Sequence, residues 1–249
     1  MKLYPAIDIL DGGAVRLVKG DFQEKKVYDE DPLRAAERWV GEGARQLHVV
    51  DLDGARDGSP RNLDHLERIA ELNAPVQFGG GLRSLAAVDA AIEAGAARVI
   101  LGTAIFTQPM LPFEAIEKHG PDRVLVSIDA RDGYVATHGW LEATTVPVRE
   151  AIERWHEQGR AVNGFVYTNI DHDGMLNGID GEEAAMVAEA AGDGSVILSG
   201  GIGELEHLRA LAHLREEREL ESLTGVIVGK ALYEHRFTVA EAQAALGDQ

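Results

Sequence analysis

Eight short apolar runs recur along the chain at intervals of about 30 residues, each followed by a longer amphipathic segment. This alternation constrains the fold more than any other feature. Strands are predicted at 3–8 (LYPAID), 46–51 (QLHVVD), 75–78 (PVQF), 98–101 (RVIL), 123–129 (RVLVSID), 163–168 (NGFVYT), 195–199 (SVILS) and 225–228 (GVIV). Helices are predicted near 32–43, 62–73, 84–95, 110–119, 146–158, 181–191, 204–214 and 238–245, several with capping residues: Asp31 before Pro32, Asn62, Ser84 and Thr238. Most runs are continuously apolar, as strands covered on both faces are. Eight strand-then-helix units in 249 residues suit a closed parallel (β/α)8 TIM barrel. An open doubly wound sheet is the alternative, and even spacing without a composition break favours closure.

The chain also repeats itself at half length. AID (6–8) matches SID (127–129), and VVDLDGARDG (49–58) loosely matches VYTNIDHDG (166–174). GGGLRS (79–84) matches SGGIGE (199–204), and VILGTA (99–104) matches VIVGKA (226–231). All four pairs fall at the C-terminal ends of predicted strands, in the same order. Two fused half-barrels, about 1–121 and 122–249, within one domain of 1–249 explain this.

The repeated glycine turns point to anions. A glycine after a strand lets backbone N–H groups approach a phosphate, and the helix that follows adds a partial positive charge. Barrel phosphate sites commonly follow the last two strands. Here that places Gly200, Gly201, Gly229 and Lys230 at one site. The half-repeat copies it onto Gly80, Gly81, Gly102 and Thr103, with Arg83 as a charged grip. One such turn is weak evidence, because tight loops need glycine anyway. Two matched pairs on opposite sides of the mouth imply one long bisphosphorylated ligand.

Asp8 ends the first strand and Asp129 the fifth. These strands face each other across an eight-strand barrel, so the carboxylates flank a bound ligand as a general acid and a general base would. The competing reading is that each caps a loop or pairs with Arg16 or Arg131. Thr168 ends the sixth strand, within reach of the same site. His48, Asp51 and Asp53 suggest a metal at first sight. However, His48 and Asp51 have opposite parity on a strand, so no metal is expected, and His48 and Asp51 are taken as substrate contacts. DHDG (171–174) lacks the remaining ligands of a calcium loop. Trp140 lies in a polar loop, either as packing or folding over a planar ligand, whereas Trp39 and Trp155 belong to helices and are expected in the core.

Composition narrows the function classes. There are 42 acidic and 24 basic residues, a formal charge of −18. Such a surface disfavours nucleic acid and anionic lipid. Cysteine is absent, which removes thiolate chemistry and fits a reducing compartment. No apolar run is long enough to span a bilayer and the start has no signal-peptide pattern, so a cytoplasmic protein, expected as a monomer, follows. The charge fits either an ordinary acidic protein or a halophilic one adapted to a salt-rich cytoplasm. With six lysines, the second is favoured.

The segments PAIDILDGGAVRLVKGDF, LHVVDLDGARDG, GGGLRS, VILGTA, DARDGYVATHGWLE, YTNIDHDGML, SGGI and GVIVGKALY closely resemble the histidine-biosynthesis isomerases that act on N'-(5'-phosphoribosyl)formimino-5-aminoimidazole-4-carboxamide ribotide. The resemblance covers essentially the whole chain. It implies an Amadori rearrangement of an aminoaldose to an aminoketose, without a cofactor, on a substrate with a phosphoribosyl group at each end. It further implies Asp8 as base, Asp129 as acid, Thr168 and Asp173 as assisting residues, and Trp140 stacked on the imidazole. It assigns one phosphate to the 79–84 and 102–104 turns and the other to the 199–202 and 229–231 turns. His138, His172 and Phe78 depart from the usual pattern. The paralogous cyclase usually has a cysteine in the position of Ala6 and lacks the GWLE loop. Dual-substrate isomerases that also take phosphoribosylanthranilate tend to carry RGWTRDGG where this chain has HGWLEATT. A non-catalytic phosphosugar-binding barrel would have no need of both Asp8 and Asp129.

Overall fold

A computed structural model describes residues 1–18, 21–137, 142–157 and 162–248. The first half runs β1 (Lys2–Leu10), β2 (Gly13–Val18), β3 (Asp21–Asp29), α1 (Pro32–Gly41), β4 (Leu47–Asp51), α2 (Leu52–Asp57), α3 (Leu63–Ala70), β5 (Val76–Gly79), α4 (Leu85–Glu93), β6 (Arg98–Leu101), α5 (Ala104–Thr107) and α6 (Leu111–His119). The second half runs β7 (Val124–Arg131), β8 (Tyr134–Thr137), β9 (Glu142–Pro147), α7 (Val148–Glu157), β10 (Gly164–Asn169), α8 (Gly181–Ala190), β11 (Ser195–Ser199), α9 (Leu205–Glu217), β12 (Leu223–Val228), α10 (Lys230–Tyr233) and α11 (Val239–Ala245).

Parallel pairing follows the order β1-β4-β5-β6-β7-β10-β11-β12 and returns to β1, which closes the barrel. β1 and β7 are four places apart in this ring and therefore face each other. Side chains alternate across the wall. Tyr4, Ala6, Ile100, Leu125, Val166, Ile197 and Ile227 fill the interior. Ile7, Phe78, Ile128 and Leu198 point outward into the larger core under the helices, together with the buried Trp39.

Two hairpins were not expected. β2–β3 follows β1, and β8–β9 follows β7, each through an Asp-Gly turn. Asp11 and Gly12 have φ of 51° and 78°, and Asp132 and Gly133 have 50° and 79°. Left-handed pairs of this kind form the tight turn of a two-residue hairpin. Their recurrence at equivalent places is an independent structural sign of the half-repeat. Short helices after β6 and β12 repeat in the same way.

Three expected caps form. Asp31 accepts from Leu33 N, Ser84 from Ala87 N, and Thr238 makes a full capping box with Glu241. Asn62 makes no side-chain cap bond. Its amide is drawn instead to Asp51 and Asp53, at 2.7 and 3.0 Å. Among the described residues, no helix is long and apolar enough to cross a membrane.

Candidate active site

The predicted site residues that are described lie at or near the C-terminal ends of the barrel strands, except His48, which sits near the start of β4. On β1, Tyr4 and Ala6 point inward, so Asp8 does too, one step higher. Arg16 reaches it from the antiparallel neighbour β2: Nη1 donates to Asp8 Oδ2 at 2.9 Å. The other terminal nitrogen lies 3.8 Å from Asp173, in the turn after β10. Burial pushes the Asp8 pKa up to about 6, with Arg16 pulling it down and Asp173 adding to the rise. Burial also works against the Arg16 charge, but Asp8 and Asp173 outweigh it and keep the guanidinium protonated. Gly229 makes room for this arginine, since a Cβ there would lie 2.5 Å from Arg16 Cζ.

Asp129 enters the mouth from the opposite wall. Ser127, two residues earlier on the same face of β7, donates to Asp129 Oδ1 at 3.1 Å. Thr168 is the ladder partner of Asp129 on β10 and is buried. Of the two arginines weighed as partners, Arg16 takes Asp8, whereas Arg131 turns to Asp171 at 3.4 Å.

The two glycine turns adopt matching backbones. Gly80 and Gly81 have φ of 109° and 73°, and Gly200 and Gly201 have 90° and 81°. All four lie in the region that favours glycine. The second turn borders a small cleft lined by Arg16, Asp173, Ser199, Gly200, Gly201 and Lys230, among others. Lys230 Nζ donates to Gly174 O at 2.9 Å and so ties the loop after β10 to the end of β12. In the other half, β5 pairs with β6, which puts Gly80 and Gly81 near Gly102 and Thr103.

Arg83, expected as a phosphate grip, follows the first of these turns. Its Nη2 donates to Ala55 O at 2.8 Å, and the guanidinium lies over Gly58, the C-cap of α2. It clamps the loop after β5 onto the loop after β4. Asp51 is an expected substrate contact at the end of β4. It is fully buried, and four local donors occupy its carboxylate. Oδ1 accepts from Gly54 N and Asn62 Nδ2, and Oδ2 from Arg61 N and Asn62 N, all between 2.6 and 3.0 Å. Asp51 caps α2 and organises its loop.

His48 faces the barrel interior, on the opposite face of β4 from Asp51, as the strand parity required. Its Nδ1 lies 2.9 Å from Gln77 Nε2. His172 turns its Nδ1 to Gly178 O at 3.0 Å, and Phe78 is an outward core residue. Trp140 and His138 lie outside the described residues. Sequence reasoning passed over Ser127, Gln77 and Arg98. Each carried a signal: Ser127 shares the parity of Asp129, and Gln77 and Arg98 are polar breaks in apolar runs.

The family model described as "Histidine biosynthesis protein" matches residues 2–238. A protein of Gloeobacter violaceus is 46% identical over 248 residues, covering 99% of this chain and 94% of the relative. A Synechococcus protein is 44% identical over 248 residues, covering 99% and 91%. A Roseiflexus protein is 42% identical over 247 residues, covering 99% and 100%. All three are named 1-(5-phosphoribosyl)-5-((5-phosphoribosylamino)methylideneamino)imidazole-4-carboxamide isomerase. With a closed (β/α)8 barrel and a match along nearly its whole length, the chain belongs to the histidine biosynthesis protein family.

Proposed function

We propose that this chain is the isomerase its relatives are named for, converting the aminoaldose N'-(5'-phosphoribosyl)formimino-5-aminoimidazole-4-carboxamide ribotide to its aminoketose isomer. The observation that carries this is the placement of Asp8 and Asp129 on opposite walls of one mouth, between two glycine turns of matching backbone. A bisphosphorylated substrate spans the mouth. Gly200, Gly201, Gly229 and Lys230 hold one phosphate. Gly80, Gly81, Gly102 and Thr103 hold the other, with Arg83 supporting their loop.

Protonated Asp129 gives its proton to the ring oxygen of the aminoribose. The C1'–O bond breaks, and the nitrogen lone pair forms a protonated Schiff base. Asp8, as carboxylate, removes the C2' proton on the other side, and those electrons neutralise the Schiff base to give an enolamine. Loss of the C2' hydroxyl proton and protonation at C1' then yield the ketose. The pKa of Asp8, about 6, suits a base working near neutral pH. Ser127 orients Asp129, Thr168 and Asp173 assist, and Trp140 covers the imidazole. Every step is a proton transfer between substrate and a side chain or a rearrangement of the substrate's own bonds, so the reading needs no cofactor.

The cyclase reading lacks its cysteine at Ala6, and the names of the relatives speak for the isomerase. The same reading takes the chain as one domain of two fused half-barrels, 1–121 and 122–249, working as a cytoplasmic monomer without nucleic-acid or membrane partners. The net charge of −18 with six lysines supports a halophilic protein. Absorbance-monitored turnover of the imidazole ribotide, at low and at molar salt, tests the proposal. No turnover at either salt concentration contradicts it.

A further inference from the structure

Inside a barrel filled mainly by apolar side chains, three polar residues stand side by side on neighbouring strands. His48 of β4 pairs in register with Gln77 of β5, and Gln77 pairs with Arg98 of β6. His48 and Gln77 are both buried. Arg98 Nη2 donates to Gln77 Oε1 at 3.0 Å and to the Tyr4 hydroxyl at 2.6 Å. A guanidinium has donors only, so the Gln77 oxygen faces Arg98 and the amide nitrogen faces His48. That nitrogen, also only a donor, is 2.9 Å from His48 Nδ1. Nδ1 must therefore present its lone pair. In a neutral imidazole the proton then resides on Nε2. Burial, with the charges of Arg16 and Arg98, keeps the ring neutral by lowering its pKa to about 3.

The ladder places His48 opposite Ala6, one inward step below the level where Asp8 meets Val50. The ring thus lies just beneath the proposed base, and its Nε2 has no protein partner among the described residues. We infer that Gln77 and Arg98 are positioning residues that lock His48 as the Nε2–H tautomer, so that it offers one neutral hydrogen-bond donor to a sugar oxygen of the substrate. The identity of that acceptor rests on the isomerase reading; the lock itself does not. A neutral donor suits this place, because it can hold an oxygen without giving up a proton that Asp8 or Asp129 must handle.

The test is nitrogen-15 NMR of the ligand-free, histidine-labelled full chain, with His48 assigned by its loss in His48→Gln, alongside kinetics of the same variants. Wild type is expected to show His48 protonated at Nε2. Gln77→Glu keeps a partner for Arg98 but presents an acceptor to the ring, so the proton should move to Nδ1. With its donor gone, kcat/KM should fall about tenfold or more. Gln77→Met removes the lock, and should give mixed tautomers and a smaller loss. A wild-type ring protonated at Nδ1 overturns the inference, as does a switched tautomer in Gln77→Glu with unchanged kcat/KM. If Gln77→Glu does not fold, the wild-type spectrum decides the tautomer and Gln77→Met carries the kinetic comparison. Absence of wild-type turnover would remove the isomerase reading and leave the spectrum to decide the lock.

Discussion

Arg16 donates to Asp8 at 2.9 Å while its other terminal nitrogen lies 3.8 Å from Asp173. One partly buried cation thus links the proposed base on β1 to the loop after β10. The link has a consequence for pH. Burial raises the Asp8 pKa to about 6, and Arg16 holds it below what burial alone would give. A base must be deprotonated, so activity should rise with pH through the Asp8 pKa. Arg16→Met removes the opposing charge, and the acid limb of the kcat/KM profile should move to higher pH. A limb that stays in place, or moves to lower pH, would show that another group sets it.

The glycine turns make a stability prediction with an internal control. A Cβ at Gly80 would lie 2.1 Å from Asp51 O, and φ there is 109°. At Gly12, φ is 78° but nothing lies within 4 Å. Gly12→Ala should therefore cost only the left-handed strain, about 1 kcal/mol. Gly80→Ala must also displace the backbone at Asp51, and should cost at least about 3 kcal/mol. At about 2–4 °C per kcal/mol for a chain of this size, Tm should drop clearly more in Gly80→Ala. Equal drops would mean that the loop after β4 yields easily.

The charge balance predicts a salt response. With 42 acidic and 24 basic residues, self-repulsion opposes the compact state, and salt screens it. The screening length shrinks from about 10 Å at 0.1 M to about 3 Å at 1 M. Tm should climb steeply between dilute buffer and molar potassium chloride. A flat profile would mark an ordinary acidic protein.

Much of this fold is legible in the sequence because the barrel strands are short, apolar and evenly spaced. All eight lie within one or two residues of where the pattern puts them. The hairpins escape notice because the β3 segment DFQEKKVYD is largely charged and polar; only the Asp-Gly turns betray it. Asp8 and Asp129 are legible because strand order alone sets them opposite each other. The setting of Asp51 is less legible, because an aspartate at a strand end looks the same whether it faces a substrate or caps the next loop. The backbone donors of Gly54, Arg61 and Asn62 that surround it come from the following loop, where no sequence pattern announces them. The contacts of Arg83 are illegible for a similar reason, since proximity to a glycine turn in sequence does not fix where a long side chain goes.

The most direct measurement is the turnover of Asp8→Asn and Asp129→Asn on the imidazole ribotide, with KM and the pH profile of kcat. Asparagine keeps the shape but ends proton transfer. General acid–base catalysis is worth about 10² to 10⁴ in rate, so each variant should lose at least about that much in kcat while still binding through both phosphates. The double variant should lose less than the product of the single losses, because both groups serve one reaction path. The wild-type profile should be bell-shaped, and each variant should lose one limb of it. Near-normal kcat in Asp8→Asn would contradict its assignment as the base, and near-normal kcat in Asp129→Asn would contradict its assignment as the acid.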